Sequence, residues 1–395
     1  MPIKPANPIR AVFAACVFLS LFLSGCWDNR ELDEIGIVTG VGIDLNPRKE
    51  VAITAQILKP GQLKSGAGGG GGGGSGGDDG LKAVFNVTSE AKTPFSAVRG
   101  ALFQSSRKWN FTHNELLIIG KAAAVAGTGT LLDFFYRDPE PRPTQWVLVA
   151  DGKASEIFEA EPGLESFLAS DIAHLIVNQG NTSQTAAINL QEFMTCLASK
   201  STSPLAPIVK IITRDGKERA IINGSAVFRN DRWVGELTKK ETRGYLWVAG
   251  KVKSGIIELE IGKKGQVDVE IIQAQGKYRA ELVQKRLRVT VDIKMAGNVG
   301  GIATNINLAT PEKMKYLEGR ICGEIRNEVR AAFKKAALYR SDFFGIGDAL
   351  YRNTPQEWPQ IKAEMDQLLG RMKPKIMVKA KLRLLGEITK PITRQ

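Results

Sequence analysis

An α+β chain in three successive blocks behind an export signal is what this sequence predicts, and three observations predict it. A short apolar run ends directly in Leu23-Ser24-Gly25-Cys26. Up to about residue 200, short runs rich in Val, Ile and Leu alternate with segments of helical period. From Ile208 the chain turns to strands, and these lead into one long amphipathic helix. Strands and helices in such an order bury their apolar faces by stacking as layers of sheet and helix.

The export signal comes first. Lys4 and Arg10 precede the apolar stretch Ala11 to Leu23, with no acidic residue among them. That stretch is too short to span a bilayer, which takes about 20 residues, and it suits the apolar region of a cleaved signal. Leu23-Ser24-Gly25-Cys26 resembles the recognition sequence of lipoprotein signal peptidase, so residues 1–25 are expected to leave and Cys26 to carry a diacylglyceryl thioether. Two acyl chains give stable membrane attachment where one is marginal.

The first block, 26–178, is expected to be an α/β domain. Ile35 to Ile43 reads as a strand carrying Gly36, Gly40 and Gly42, followed by strands at Val51 to Leu58 and Leu81 to Thr88. Between the last two lies 65–80, which includes Gly68 to Gly74 without interruption and cannot bury enough surface to offset its ordering entropy. A disordered loop is expected there. Thr93-Pro94 opens a helix in which Phe95, Val98 and Leu102 trace an apolar face that continues to Trp109 just beyond it. Strands follow at Leu116 to Ile119 and Trp146 to Val149, with a helix through Leu131 and Phe135 between them and more helix at Leu164 to Val177 and Ile188 to Leu197.

The second block, 179–253, reads as a small domain of short strands at Val209 to Ile212, Ala220 to Phe228 and Arg232 to Leu237. The third, 254–395, opens with a meander, Ile256 to Ile261, Val267 to Gln273 and Leu287 to Ile293. It continues into a helix from Thr310-Pro311 that places Leu317, Ile321, Ile325, Val329 and Phe333 on one stripe. The last strand, Lys375 to Leu384, alternates apolar residues with Lys375, Lys379, Lys381 and Arg383, so one face is buried and the other strongly positive.

The chain has 54 basic and 41 acidic side chains, a formal charge of +13 that falls to about +11 once Lys4 and Arg10 are removed. Export argues against nucleic acid as the partner of this charge and favours a lipid surface or an acidic protein. Cys16 and Cys26 belong to the signal, and Cys196 with Cys322 make no disulfide framework, although one bridge between them stays open. His113 and His174 have no second ligand at metal spacing, and neither a phosphate-binding glycine loop nor a nucleophile elbow occurs. No metal, no cofactor and no enzymatic activity are therefore expected. His113 reads as a side chain that hydrogen-bonds a backbone group rather than as a catalytic base.

The run from Gly25-Cys26-Trp27-Asp28-Asn29-Arg30-Glu31-Leu32-Asp33-Glu34 to Gly40-Val41-Gly42-Ile43-Asp44 closely resembles the opening of the GerC-type spore germination lipoproteins. Further pieces fit in order: Trp109-Asn110-Phe111-Thr112-His113, Phe135-Tyr136-Arg137-Asp138, Gly224-Ser225-Ala226-Val227-Phe228, Glu241-Thr242-Arg243-Gly244 and Asp342-Phe343-Phe344-Gly345-Ile346-Gly347. The resemblance implies three mixed α/β domains. It also implies a non-catalytic lipoprotein subunit of a nutrient germinant receptor, on the outer face of the inner spore membrane beside two polytopic subunits. It offers no catalytic residue. The functional positions are then the lipid-bearing Cys26, the peptidase signal Leu23, Ser24 and Gly25, and the stretch with Trp27, Asp28, Arg30 and Glu31, which a partner subunit or a solvated tether would equally explain. Lys121 departs from the pattern, which has an acidic residue there. The competing reading is a solute-binding lipoprotein of a transporter, against which stands the lack of two similar lobes and a hinge.

Overall fold

In the computed structural model the described residues are 34–59, 83–262, 265–303 and 310–385, with Ile9, Phe13 and Phe18 as isolated positions. The signal peptide, the cleavage site, Cys26, Trp27, Asp28, Arg30, Glu31 and the glycine-rich segment 65–80 lie outside them. The fold is mixed α/β and has two sheets.

The first sheet begins with β1 (Ile35–Leu45), β2 (Val51–Leu58) and β3 (Val84–Ala91), a meander joined by antiparallel pairing. Helix α1 (Pro94–Gly100) follows, then β4 (Lys108–Asn110), β5 (Leu116–Ile119), α2 (Lys121–Ala126), α3 (Gly129–Arg137) and β6 (Trp146–Ala150). After α4 (Ala154–Ile157), α5 (Leu168–Asn178) and α6 (Leu190–Ala198) come β7 (Leu205–Arg214), β8 (Lys217–Arg229) and β9 (Arg232–Leu237). The strand order is β3-β2-β1-β5-β6-β7-β8-β9, with β4 beside β1. Strands β1, β5, β6 and β7 run parallel at the centre, and antiparallel strands flank them on both sides.

Alternation in the central strands feeds two cores. Leu117, Ile119, Val147 and Val149 face α1, α2, α3 and α6, whereas Leu116, Ile118, Leu148 and Ala150 face α4 and α5. Gly40 and Gly42, which read as interruptions, are what lets that second layer approach: a Cβ at Gly40 would lie 2.7 Å from the Phe158 ring, and one at Gly42 3.1 Å from the Ala154 Cβ.

The segment expected as a small middle domain, 179–253, supplies β7 to β9 to this same sheet. It then supplies α7 (Lys239–Ala249), whose Leu246, Trp247 and Val248 belong to the other core. That core lies under the second sheet, formed by β10 (Ile256–Ile261), β11 (Gly265–Val283), β12 (Arg286–Ala303) and β13 (Lys375–Leu385) in chain order. The helices α8 (Pro311–Tyr339), α9 (Ile346–Asn353) and α10 (Trp358–Gly370) pack on it. The stripe Leu317, Ile321, Ile325, Val329 and Phe333 is buried.

The apolar face of α1 is only partly covered, and α5 starts later than the sequence reading has it. Phe95 and Leu102 are half exposed, because α1 is seven residues long and meets the sheet through the small side chains of Pro94 and Ala97. Phe95 instead leans on Phe134, ring centroids 5.7 Å apart, with Arg99 over its other side. Leu164 is fully exposed outside α5, its amide donating to the Asp171 carboxylate at 3.2 Å. No helix among the described residues is long and apolar enough to cross a membrane.

Candidate functional site

The described chain enters the fold at Glu34, eight residues beyond Cys26. The Glu34 carbonyl accepts from the Lys108 amide at 3.0 Å, and Ile35 pairs with Lys108. Strands β1, β4, β5 and β6 all begin on this side, so Glu34 stands at the rim formed by the strand starts. A cleft of about 500 Å³ opens there, bordered by Ile37, Leu58, His113, Glu115, Arg142 and Phe167.

At its base Asn114 Nδ2 donates to Gln145 Oε1, and both amides are buried. The Glu115 carboxyl is held above its ordinary range, chiefly by burial and further by Glu165, against the pull of His174. His174 in turn contacts the Glu165 carboxylate at 2.8 Å. His113 is exposed at the cleft mouth, and among the described residues its ring makes no hydrogen bond to the backbone. This set can bind polar groups.

Among the described residues no three of His, Cys, Asp or Glu are grouped to hold a metal ion. Cys196 and Cys322 are both free, and burial pushes the Cys196 thiol up to about 11, so it stays protonated at neutral pH and is a poor nucleophile.

Lys121 ion-pairs with Asp151 at 2.9 Å and lies 5.2 Å above the Trp233 ring, while Lys210 reaches the other Asp151 oxygen at 3.0 Å. Burial raises the Asp151 carboxyl, but hydrogen bonds from the two lysines outweigh it and leave the group below its usual range. A depressed carboxylate stabilises the fold above its unfolded pKa, and that contribution is lost as pH falls through the folded value. Lys121→Glu is expected to cost about 1 kcal/mol at neutral pH. In urea melts the deficit should shrink as pH falls through the acid range; an equal deficit at every pH would refute this account.

The motifs that carried the resemblance turn out to be joints. Phe111 meets Trp109, Phe134 and Phe135 edge to face at centroid distances of 6.4, 6.5 and 6.0 Å. Ser225 Oγ accepts from the Ala186 amide at 3.1 Å, and Gly224, at φ +72°, backs onto the Leu237 carbonyl. In α7, Arg243 Nε donates to both Glu328 oxygens at 3.1 and 3.0 Å, its Nη1 donates to the Ile256 carbonyl at 2.7 Å, and Trp247 Nε1 reaches Glu328 at 3.0 Å. Gly244 lies against the Glu328 carbonyl, where a Cβ would collide with backbone. The Asp342 carboxylate accepts from the Ile346 and Gly347 amides at 2.8 and 2.7 Å and from Ser201 Oγ at 2.7 Å. Sequence reading named Ser225, Arg243 and Asp342 without Ala186, Glu328 and Ser201, partners that lie 39, 85 and 141 positions away. The amides Asn114 and Gln145 gave no signal at all, being isolated polar residues beside strands.

This arrangement of two sheets is that of a solved protein. The crystal structure of the GerBC protein matches 90% of this chain and 99% of its own with a TM-score of 0.53 at 18% identity, which establishes a common fold. Two family models match in tandem, the spore germination protein N-terminal domain over residues 28–211 and the spore germination B3/GerAC-like C-terminal domain over 223–386. The chain belongs to the GerAC family of spore germination proteins. Among its relatives in Bacillus subtilis (strain 168), spore germination protein KC is 26% identical over 98% of both chains. Spore germination protein B3 is 21% identical over 96% of this chain and 98% of its own.

Proposed function

We propose that this chain is a membrane-anchored, non-catalytic lipoprotein subunit of a spore nutrient germinant receptor, acting in receptor assembly and germination signalling. The observation that carries the reading is its similarity over nearly full length to spore germination protein KC, together with a lipoprotein signal at its start. Lipid on Cys26 holds it to the outer face of the inner spore membrane, next to polytopic subunits of the same receptor. Trp27, Asp28, Arg30 and Glu31, which follow Cys26 directly in the sequence, contact those subunits in this reading. The three-domain division 26–178, 179–253 and 254–395 is kept as a working scheme, with the middle segment shared between the two sheets.

The test is nutrient-triggered dipicolinic acid release from spores lacking this chain, complemented with the native sequence or with Cys26→Ala. The native form is expected to restore the response and the protein to sediment with spore membranes; Cys26→Ala is expected to do neither. Full restoration by Cys26→Ala would end the anchored-subunit reading. An unchanged nutrient response in the deletion, with impaired uptake of one solute by growing cells, would favour the solute-binding alternative.

A further inference from the structure

Helices α8 and α10 cover one face of the second sheet, and the opposite face is open to solvent. Alternation along β13 exposes Lys375, Lys379, Lys381 and Arg383 there. The register places Lys294 of β12 directly beside Lys379, and exposed Lys277, Arg279 and Arg288 extend the positive area onto β11 and β12. Adjacent strands are about 4.8 Å apart, so Lys294 and Lys379 face each other as like charges, a destabilising arrangement in a free sheet. Among the described residues the ion pair this area makes is Arg279 with Asp292, at 3.4 Å.

Four acids of the same face, Glu258 and Glu260 on β10 with Asp268 and Glu270 on β11, gather at the opposite corner, while Glu281 and Asp292 stand within the basic area, outnumbered by its lysines and arginines. The face is therefore divided into a basic half and an acidic corner. Lysines on β13 alone would be explained as protection of an edge strand against pairing. Lys277 and Lys294 stand on inner strands, where no such protection is needed.

We propose that the β12–β13 half of this face docks on an anionic lipid surface, the headgroups of the membrane that holds the chain; this rests on the anchoring reading above. Side chains standing perpendicular to three neighbouring strands form a plate rather than a groove, which suits a plane of diffuse negative charge better than a peptide or a small anion. Met377, 38% exposed, lies among the basic side chains, whose aliphatic stems add apolar contact. From Cys26 to Glu34 the tether spans at most about 29 Å whatever its conformation, so the bilayer stays at high effective concentration. The acidic corner orients the plate, turning β13 toward the headgroups and β10 away.

The test is sedimentation of the full mature chain, carrying Cys26→Ser and produced without lipid, with vesicles rich in phosphatidylglycerol or made of phosphatidylcholine alone. The expected result is salt-sensitive binding to the anionic vesicles, weakened about a hundredfold by Lys294→Gln, Lys379→Gln and Lys381→Gln together. Neutralising Lys153, Lys239 and Lys240 instead should have little effect, and no variant should melt below the native chain. Equal sedimentation with both vesicle types, or unchanged binding by the triple variant, would overturn the proposal. If the native chain ignores vesicles while the triple variant in lipidated form fails to restore germination, the lipid proposal falls and the face belongs to an acidic protein. Because the assayed chain has no lipid, failure of the Cys26 reading in spores leaves this assay readable.

Discussion

Glu328→Ala is expected to lower stability by about 3–5 kcal/mol, because it strands the Arg243 guanidinium in an apolar core. Arg243 and Glu328 are 3% and 6% exposed, and four of the hydrogen bonds around them cross between α7, α8 and β10. Once the carboxylate is gone, Trp247 Nε1 also loses its acceptor. The comparison that separates an orphaned charge from a lost attraction is the double variant Arg243→Met, Glu328→Leu, which should cost clearly less than Glu328→Ala alone. Urea melts followed by tryptophan fluorescence would read both, and a cost below 1 kcal/mol for the single variant would disprove the argument.

Asp342→Ala comes next, at about 3 kcal/mol, since a carboxylate that accepts three short hydrogen bonds is removed and two buried amides at the start of α9 are left without acceptors. The joint is wider than one residue: Ser203 donates to the Asp342 carbonyl at 3.0 Å, and the Lys200 amide donates to Asp348 at 3.1 Å. Burial is the main influence on the Asp342 carboxyl and raises it, with Ser201 and the two amides pulling back. A carboxyl whose folded pKa is raised contributes stability fully present below its unfolded pKa and lost as pH climbs through the folded value. Asp342→Asn keeps an acceptor oxygen for the amides and has no such titration. Its deficit relative to the native chain should therefore be smaller than that of alanine and should narrow as pH rises toward neutrality; a deficit that widens would contradict the burial argument.

The strands of the first sheet were legible because each half-buried or fully buried run between turn residues is short and rich in Val, Ile and Leu. Val51–Leu58 and Leu116–Ile119 were read with their observed ends. The long hairpin of β11 and β12 was not. The first strand continues to Val283, well past Gln273, through exposed positions that are Lys, Arg, Gln and Glu, and the second, read nearly from its start, runs on to Ala303, well past Ile293. The turn holds Gln284 and Lys285 at φ +49° and +59°, in place of the Asn-Gly pair that would have announced it. Helix α7 was missed because Gly244 and an even spread of charge hide its period. Its signal was present in Thr238 and Glu241, which form a reciprocal cap. Partnership across distance, such as Arg243 with Glu328 or Asp342 with Ser201, is not written in any local pattern, so the joints stayed invisible even where their residues had been singled out. The resemblance to GerC-type lipoproteins identified the family from short motifs whose structural work is packing.

The position of β1 has a mechanical consequence. For a chain held at Cys26, any pull on the anchor runs along β1, which is hydrogen-bonded to β2 on one side and to β4 and β5 on the other. Hydrogen bonds between strands lie across the strand direction, so such a load meets them in shear and all at once. A tether attached to β3 or β9, at the edges of the sheet, would peel its bonds one after another. On the anchoring proposed above, load from the bilayer would be delivered to the centre of the first sheet, and a chain tugged by lipid on Cys26 would not begin to unravel there.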